Sequence, residues 1–290
     1  MVKVLGRKEL PCLPIPLSIR AFPVPTNHTY LFQEMRILIT GSSDGLGLLT
    51  AKLLSSRSHQ VVLHARNASR AHDATTACPS AHACITGDLS TLAGIHAFAA
   101  EADKHGPYDA VMHNAGLYLG PFRRTEDGLP ALVAVNTLAP YMLASLMAKP
   151  KRLIFVSSGL HQNGNAGLED ITWQKRGEGK WNDSQAYADS KLHNIMFAFA
   201  FNRHYGIPTA SVDPGWVKTK MGGPSAMDDL DAAVETFAMV CTGEGEAGKR
   251  EAGHYYQMKQ RSFREEAKDV ETQEKLLKIL EGVTGVKVPK

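Results

Sequence analysis

The sequence has few cysteines, no long hydrophobic run and little excess of charge of either sign. Its four cysteines form no CxxC pair and no metal-ligand spacing, and they are Cys12, Cys78, Cys84 and Cys241. This pattern indicates reduced thiols and no metal site. The net charge is +3, with basic and acidic residues interspersed, which argues against a nucleic-acid-binding surface. We expect a cytoplasmic protein with no nucleic-acid or membrane partner.

The first 34 residues differ from the rest because they contain five prolines. The prolines interrupt each apolar stretch, so neither a signal-peptide core nor a membrane helix fits. Arg7, Lys8 and other basic residues would suit a mitochondrial presequence, but the prolines prevent a long amphipathic helix. We therefore expect residues 1–34 to be a disordered N-terminal extension and residues 35–290 to form one domain.

From Met35 onward, short apolar runs alternate with longer amphipathic ones. The predicted strands are residues 35–40, 61–64, 83–86, 108–113, 152–157, 209–212 and 253–258. The predicted helices are residues 46–56, 92–105, 129–147, 186–205 and 228–240, with a charged surface helix over 265–280. Because the strand residues are continuously apolar, the pattern indicates α/β architecture, a parallel sheet of about seven strands with helices on both faces.

The first predicted strand ends in a glycine-rich turn, Thr40-Gly41-Ser42-Ser43-Asp44-Gly45-Leu46-Gly47. Gly41 allows a tight turn, and Gly45 has no side chain to hold off a pyrophosphate. Gly47 lets the following helix pack closely on the sheet, with its first N–H groups directed at the phosphates. The turn lies between a strand and a helix, and it predicts a single doubly wound, NAD(P)-binding Rossmann domain.

The second predicted strand ends in His64-Ala65-Arg66-Asn67 and carries no acidic residue. NAD-binding proteins of this fold place an acid there to bind the ribose 2′-hydroxyl. Arg66 can instead pair with a 2′-phosphate, which favours NADP(H) over NAD(H). The alternative is that Arg66 is a solvated surface residue. Asp44 opposes the NADP(H) prediction because it adds a negative charge nearby.

Further motifs follow in order along the chain, namely Asp88-Leu89, Asn114-Ala115-Gly116, Asn136, Ser157-Ser158, Tyr187-Ala188-Asp189-Ser190-Lys191 and Pro214-Gly215-Trp216-Val217-Lys218-Thr219. With the glycine turn, they make the chain resemble the short-chain dehydrogenase/reductase family over roughly residues 35–258. The resemblance implies that Asp88 contacts adenine and that Asn114 lines the cofactor cleft. It also implies that Val217 and Thr219 hold the nicotinamide. The alternative for Asn114 is a strand-end turn residue, and both roles are compatible.

Tyr187 and Lys191 are four residues apart in a predicted helix, so their side chains project from one face. A free phenol, with a pKa near 10, is a poor acid–base group at neutral pH, and a nearby ammonium lowers that pKa. Tyr187 is therefore the predicted acid–base residue. The resemblance adds that Lys191 hydrogen-bonds the nicotinamide ribose. The alternative is an ordinary amphipathic helix pair.

Ser158 follows the fifth predicted strand, at the sheet edge where ligands bind in this fold. Its hydroxyl can donate to a substrate oxygen as negative charge develops. Ser157 is the rival, and the family spacing favours Ser158. The resemblance implies that Asn136 holds a water beside Lys191, while the alternative is a polar residue that closes a helix defect. His161 is set aside as an incidental loop residue.

The predicted function is NADP(H)-dependent transfer of a hydride between nicotinamide and a small-molecule carbonyl or alcohol, as a carbonyl reductase or alcohol dehydrogenase acting on CH–OH donors. The predicted catalytic residues are Asn136, Ser158, Tyr187 and Lys191. The predicted cofactor-binding residues are Gly41, Ser43, Gly45, Leu46, Gly47, Arg66, Asp88, Leu89, Asn114, Tyr187, Lys191, Val217 and Thr219. Two other functions stay open, a non-catalytic NADP(H) sensor and an epimerase.

Two expectations concern the surroundings of this site. Residues 160–183, which include Trp173 and Trp181, and residues 221–227 flank the predicted site and are expected to shape it. An apolar stripe of Ile195, Met196 and Phe199 would suit the interface of a homodimer or homotetramer, and would equally suit the core.

Overall fold

The computed structural model describes residues 33–289, so the predicted N-terminal extension lies outside the described residues except for its last two. Eight strands form one sheet in the order β3-β2-β1-β4-β5-β6-β7-β8. Their bounds are β1 Arg36–Ile39, β2 Gln60–Ala65, β3 Ala83–Thr86, β4 Ala110–His113, β5 Arg152–Val156, β6 Thr209–Val212, β7 Gly253–Tyr256 and β8 Lys259–Gln260. Strands β1 to β7 are parallel, and β8 pairs antiparallel with β7.

Eight α-helices of the described part of the chain surround this sheet. They are α1 Gly45–Ser56, α2 Ala68–Ala77, α3 Leu92–Asp103, α4 Ala131–Val133, α5 Ala139–Leu146, α6 Asp183–Tyr205, α7 Leu230–Thr242 and α8 Val270–Thr284. A π-helical turn over Ala134–Leu138 joins α4 to α5. The strand order reverses between β1 and β4, and the carboxyl ends of these two strands open the crevice where this fold binds ligands.

The sheet separates two hydrophobic cores. Ile37 and Ile39 face the layer that contains α1 and α7, whereas Leu38 faces the layer that contains α3, α5 and α6. Each central strand is thus buried on both faces, which explains its continuous apolar run. The α/β prediction, a doubly wound parallel sheet with helices on both faces, is confirmed.

One α-helix and one strand of the described residues were not predicted, helix α2 and the two-residue strand β8. Ala74 is the one buried residue that α2 contributes, so the sequence of α2 carries no apolar stripe to mark it. The charged helix predicted over 265–280 is a 3₁₀ turn, Glu265–Lys268, followed by α8. Leu276 and Leu280 of α8 are fully buried, so α8 is amphipathic rather than a surface helix.

The C-terminal segment covers the apolar stripe of α6. Ile195 and Met196 are fully buried in the core, and Phe199 packs on Phe263 with 5.1 Å between ring centroids. The stripe is therefore part of the core in this chain, while homodimer or homotetramer formation stays a prediction. Across residues 33–289, no helix has the length and apolar character needed to cross a membrane.

Candidate active site

A cleft of about 510 Å³ opens at the carboxyl ends of the strands, over the crevice between β1 and β4. Twelve of the thirteen predicted cofactor-binding residues line it, and they are Gly41, Ser43, Gly45, Leu46, Gly47, Arg66, Asp88, Leu89, Asn114, Tyr187, Lys191 and Thr219. Val217, the remaining one, lines a neighbouring cavity. We name the first space the sheet-edge cleft. Its lining comes from six separate motifs that the fold brings together.

Two glycines of the turn are required by close packing, because a side chain on either would collide with neighbouring protein atoms. Gly41 has φ +63°, and a Cβ on it would lie 2.7 Å from the Ala115 Cα. A Cβ on Gly47 would lie 2.6 Å from Asn114 Nδ2 and 2.7 Å from the carbonyl oxygen of Gly41. These contacts are too short for any larger residue, which explains the glycines physically.

His64, which the sequence analysis did not single out, holds the glycine turn from below. The Gly41 N–H donates to His64 Nδ1 at 2.8 Å, so the His64 Nε2–H donates to the carbonyl of Gly87 at 2.9 Å. Burial lowers the pKa of His64 to about 4, which keeps the ring neutral. The neutral tautomer thereby ties the turn to the loop after β3.

Arg66 is exposed at the edge of the cleft, immediately after β2. The negative charge of Asp44 is paired with two basic residues. Arg70 Nη2 lies 2.6 Å from Asp44 Oδ2, and Lys220 Nζ lies 3.5 Å from the same oxygen. The negative charge that weakened the NADP(H) prediction is therefore paired. Arg70 also lines the cleft, so two arginines border the same end of it.

Asn114 braces the turn and lines the cleft at once. Its Nδ2 donates to the carbonyl oxygens of Thr40 at 2.8 Å and Gly41 at 3.0 Å. The backbone N–H groups of Asn114 and Ala115 donate to Thr40 Oγ1 at 2.9 and 3.0 Å. The turn role of Asn114 thus has direct contacts, and its place in the cleft is compatible with the cofactor role.

Helix α6 places Tyr187 and Lys191 on the same face, as their spacing predicts. Lys191 Nζ lies 5.3 Å from the ring centroid of Tyr187 and donates to the carbonyl oxygen of Val156 at 3.0 Å. Ser157 Oγ donates to the Lys191 carbonyl at 2.8 Å and fixes the helix to the end of β5. Burial lowers the pKa of Lys191 to about 8, and Asp213 acts in the opposite direction.

The pKa of Tyr187 is raised rather than lowered. Burial is the main cause, and a hydrogen bond with the Ser158 side chain opposes it. The expected lowering of this pKa is not met by the protein alone, because enclosure destabilises the phenolate and the negative charge of Asp213 acts in the same direction. Tyr187 is consequently a protonated phenol at neutral pH.

The two serines after β5 have different partners. The Ser157 hydroxyl donates to the Lys191 carbonyl, as described above. The Ser158 side chain instead forms a hydrogen bond with Tyr187 and lines the neighbouring cavity. His161 is fully buried, and its Nδ1–H donates to the Ser158 carbonyl at 2.6 Å. Its Nε2 accepts from Gln162 at 3.0 Å, which fixes the neutral tautomer. His161 is therefore a support for Ser158 and not an incidental loop residue.

Asn136 lies in the π-helical turn between α4 and α5, a kind of distortion that is frequent at functional sites. Its Oδ1 accepts from the Leu117 N–H at 2.8 Å, and its Nδ2 donates to the Leu117 carbonyl at 2.9 Å. A Cβ on Gly116 would lie 3.6 Å from Asn136 Oδ1 and 3.7 Å from Lys191 Nζ. Gly116 therefore separates Asn136 from Lys191 without filling the space between them.

A second cavity of about 580 Å³ adjoins the sheet-edge cleft, and Tyr187 lines both. Its other lining residues include Tyr118, Ser158, Leu160, Trp216, Val217, Met221, Asp213, Asp228, Tyr256 and Arg261. Trp173 and Trp181 pack on each other with centroids 4.9 Å apart, and neither belongs to the described lining. Trp173 and Trp181 were expected to shape the site, but the tryptophan that lines this cavity is Trp216. We name this space the side cavity.

Comparison with known proteins identifies the family of the chain. Residues 35–169 match the family model of short chain dehydrogenases. The chain is 43% identical over 257 residues to the short-chain dehydrogenase chyC of Penicillium rubens, covering 88% of this chain and 99% of that one. It is 44% identical over 262 residues to an uncharacterized oxidoreductase of Emericella nidulans, covering 88% and 99%.

Solved structures share the fold at lower sequence identity. The NADPH-bound carbonyl reductase from chicken fatty liver matches with a TM-score of 0.58 and 21% identity, covering 79% of this chain and 99% of that one. The two sequence relatives, both above 40% identity over almost their full length, establish the relationship. The chain belongs to the short-chain dehydrogenase/reductase family and is an oxidoreductase.

Proposed function

We propose that this protein is an NADP(H)-dependent carbonyl reductase in which Tyr187 donates the proton. The observation that carries the proposal is the position of Tyr187 at the boundary of the sheet-edge cleft and the side cavity. A nucleotide in the cleft and a carbonyl compound in the side cavity would meet at its hydroxyl. This is the geometry that coupled hydride and proton transfer requires.

The sheet-edge cleft fits a nicotinamide dinucleotide. Gly45, the first residue of α1, has almost no neighbour within 4 Å of a Cβ position, which leaves room for a pyrophosphate at the N-terminus of the helix. Arg66 and Arg70 line the same cleft and would pair with a 2′-phosphate. Bound there, NADPH would supply a hydride to the carbonyl carbon. The carbonyl reductase that shares this fold was solved with NADPH, which supports the choice.

Two side chains would act on the carbonyl oxygen of the substrate, and a third would support them. Tyr187, held as a protonated phenol, donates its proton as negative charge develops on that oxygen. Ser158, beside it in the side cavity, donates a hydrogen bond to the same oxygen. Lys191 lies in the cleft, where its ammonium would bind the nicotinamide ribose and stabilise the phenolate left after proton transfer.

Asn136 and Gly116 would complete the return of a proton to Tyr187. Asn136 Oδ1 and Lys191 Nζ lie 3.6 and 3.7 Å from the position that a Cβ on Gly116 would take, so the glycine leaves the space beside both atoms free of a side chain. We assign Asn136 the role of holding a water there, as the sequence resemblance implies.

The side cavity favours a substrate with an apolar part. Tyr118, Leu160, Trp216 and Met221 line it and are each 38–49% exposed. Exposed apolar groups in a concave site are typical of ligand-binding surfaces. The substrates we expect to react best are therefore aromatic or otherwise apolar aldehydes and ketones.

The purified protein is expected to consume NADPH in the presence of apolar carbonyl compounds. Absorbance at the nicotinamide band, followed with a panel of aromatic aldehydes, ketones and quinones, measures this directly. Product analysis must show the matching alcohol or hydroquinone. NADPH binding without turnover across the panel would instead favour the non-catalytic sensor, and conversion of an alcohol to its epimer without net NADPH loss would favour the epimerase.

Arg66→Ala is expected to raise the KM for NADPH by about tenfold, because one charge-assisted contact to a 2′-phosphate is lost. The KM for NADH should change little, since NADH has no such phosphate. Arg57→Ala is the matched control, because Arg57 pairs with Glu235 at 2.7 Å and does not line the described cleft. Equal effects of Arg66→Ala on both cofactors would contradict the 2′-phosphate role.

A further inference from the structure

Arg261 is held in a fixed position beside the side cavity. It follows β8 directly, and its backbone N–H donates to the His254 carbonyl at 2.8 Å. Its Nη1 donates to Asp213 Oδ2 at 2.7 Å, and its guanidinium lies 4.5 Å from the ring centroid of Tyr256. Because the protein already orders this long side chain, a ligand that binds it loses little further conformational entropy.

The ion pair with Asp213 anchors the guanidinium next to the turn that carries Ser158. Asp213, the residue after β6, is 2% exposed, and its Oδ1 accepts from the Gly215 N–H at 2.9 Å. A Cβ on Gly159, which follows Ser158, would lie 3.3 Å from Asp213 Oδ2. A buried carboxylate is costly unless paired, so Asp213 and Arg261 hold each other in place.

Most of the side-chain N–H groups of Arg261 are left for a ligand. A guanidinium carries five N–H donors in a planar fork. Within residues 33–289, Nη1 is its one side-chain nitrogen that donates to another residue. The side chain is 43% exposed and lines the side cavity together with Ser158 and Tyr187. Arg261 can therefore donate to a second acceptor on a molecule whose carbonyl lies at Ser158 and Tyr187.

The charged side chains of the side cavity select the kind of acceptor. Among the described lining residues they are Asp213, Asp228 and Arg261. Asp213 and Arg261 neutralise each other, whereas Asp228, whose Oδ2 accepts from the Trp216 N–H at 2.6 Å, adds a further carboxylate. The cavity therefore has an excess of negative charge, which repels a carboxylate on the substrate. A neutral oxygen acceptor meets no such repulsion.

We propose that Arg261 is a specificity-determining residue that binds a second, neutral oxygen acceptor of the substrate. The preferred substrates are then apolar carbonyl compounds that also carry an ester, an amide or a further ketone group. Trp216 and Tyr118, which line the same cavity, would contact the apolar part. The inference rests on the proposed function, because it takes the reacting carbonyl to lie at Tyr187 and Ser158.

The test compares phenyl ketones that differ in one group, with NADPH consumption as the readout. The plain ketone is propiophenone, while ethyl benzoylformate and methyl benzoylpropionate carry an ester at two different distances from the ketone. The wild type should have the higher kcat/KM for the ester that reaches Arg261. Arg261→Met should lower the ratio of ester to plain ketone by about tenfold, because a hydrogen bond from a charged donor is lost. Comparing this ratio between variants cancels the intrinsic reactivity of each ketone.

Charged analogues test the choice of a neutral acceptor. Benzoylformate and benzoylpropionate, the acids of the two esters, should react with a lower kcat/KM than their esters. Asp228→Asn, which keeps an acceptor for the Trp216 N–H, should raise the kcat/KM of the acids relative to the esters because it removes a negative charge. A wild type that prefers either acid, or that prefers the ammonium compound dimethylaminopropiophenone, overturns the proposal.

An unchanged ratio of ester to plain ketone in Arg261→Met also overturns the proposal, since a purely structural arginine would affect all the ketones alike. Should Arg261→Met fail to fold, Arg261→Lys decides the question, because it keeps a positive charge beside Asp213 and loses the planar fork. Arg57→Met, which removes the 2.7 Å pair with Glu235 outside the described lining, is the control and should leave the ratio unchanged. Failure of the carbonyl reductase proposal would appear separately, as NADPH binding with no reduction of any of these ketones.

Discussion

Tyr187→Phe should lower kcat for carbonyl reduction by about a hundredfold or more while the protein folds and binds NADPH almost as before. The substitution removes one oxygen and keeps the ring that packs at 4.9 Å against Tyr118. The lost hydroxyl is the proton donor, and a positioned general acid contributes about 10²–10⁴ in rate. The measurement is single-turnover NADPH oxidation with the best carbonyl substrate, alongside NADPH binding by fluorescence.

Tyr118→Phe is the matched comparison, because it removes the same atom from a neighbouring ring in the same cavity. We expect its effect on kcat to be far smaller than that of Tyr187→Phe. The pH profile gives a second check. Reduction by the wild type should persist to neutral pH and above, since burial raises the pKa of Tyr187. Near-wild-type turnover by Tyr187→Phe would mean that a different group supplies the proton.

The sequence was sufficient for the seven parallel strands, the glycine turn and the Tyr187–Lys191 pair, because each depends on local spacing. Continuous apolar runs identify strands buried on both faces, and a four-residue interval places two side chains on one helix face. Helix α2 escaped prediction since it buries a single alanine. The position of α2 is set by its packing against β2 and β3, and its own sequence has no hydrophobic pattern that would reveal the helix.

The supporting residues of the site were beyond prediction for a related reason. His64 is 23 residues from Gly41, and Asp213 is 48 residues from Arg261, so only the folded chain shows these hydrogen bonds. His161 is only three residues from Ser158, but its burial, which sets its role, is again a property of the folded chain. Burial also reverses what local chemistry suggests. A lysine four residues from a tyrosine should lower the phenol pKa, yet enclosure of Tyr187 raises that pKa. The degree of enclosure is a property of packing, not of spacing.

Lys191→Met should differ from Tyr187→Phe by weakening NADPH binding as well as slowing turnover. Methionine keeps most of the side-chain volume, so the core around α6 should survive. The variant loses the ammonium in the sheet-edge cleft, together with its 3.0 Å hydrogen bond to the Val156 carbonyl. A charge-assisted hydrogen bond to the ribose corresponds to about a tenfold or larger rise in the Kd for NADPH. We expect kcat to fall by about a hundredfold in addition.

Lys275→Met provides the control, because Lys275 Nζ also donates to a carbonyl oxygen, that of Gly167 at 2.8 Å, but on the exposed face of α8. It should leave both Kd and kcat unchanged. The pH dependence separates the two roles of Lys191. In the wild type, NADPH binding should weaken as the pH rises through about 8, where Lys191 loses its proton. In Lys191→Met, binding should be weak and independent of pH across that range. Slower turnover by Lys191→Met with wild-type NADPH affinity at every pH would contradict the ribose contact. Lys191 would then act on Tyr187 alone.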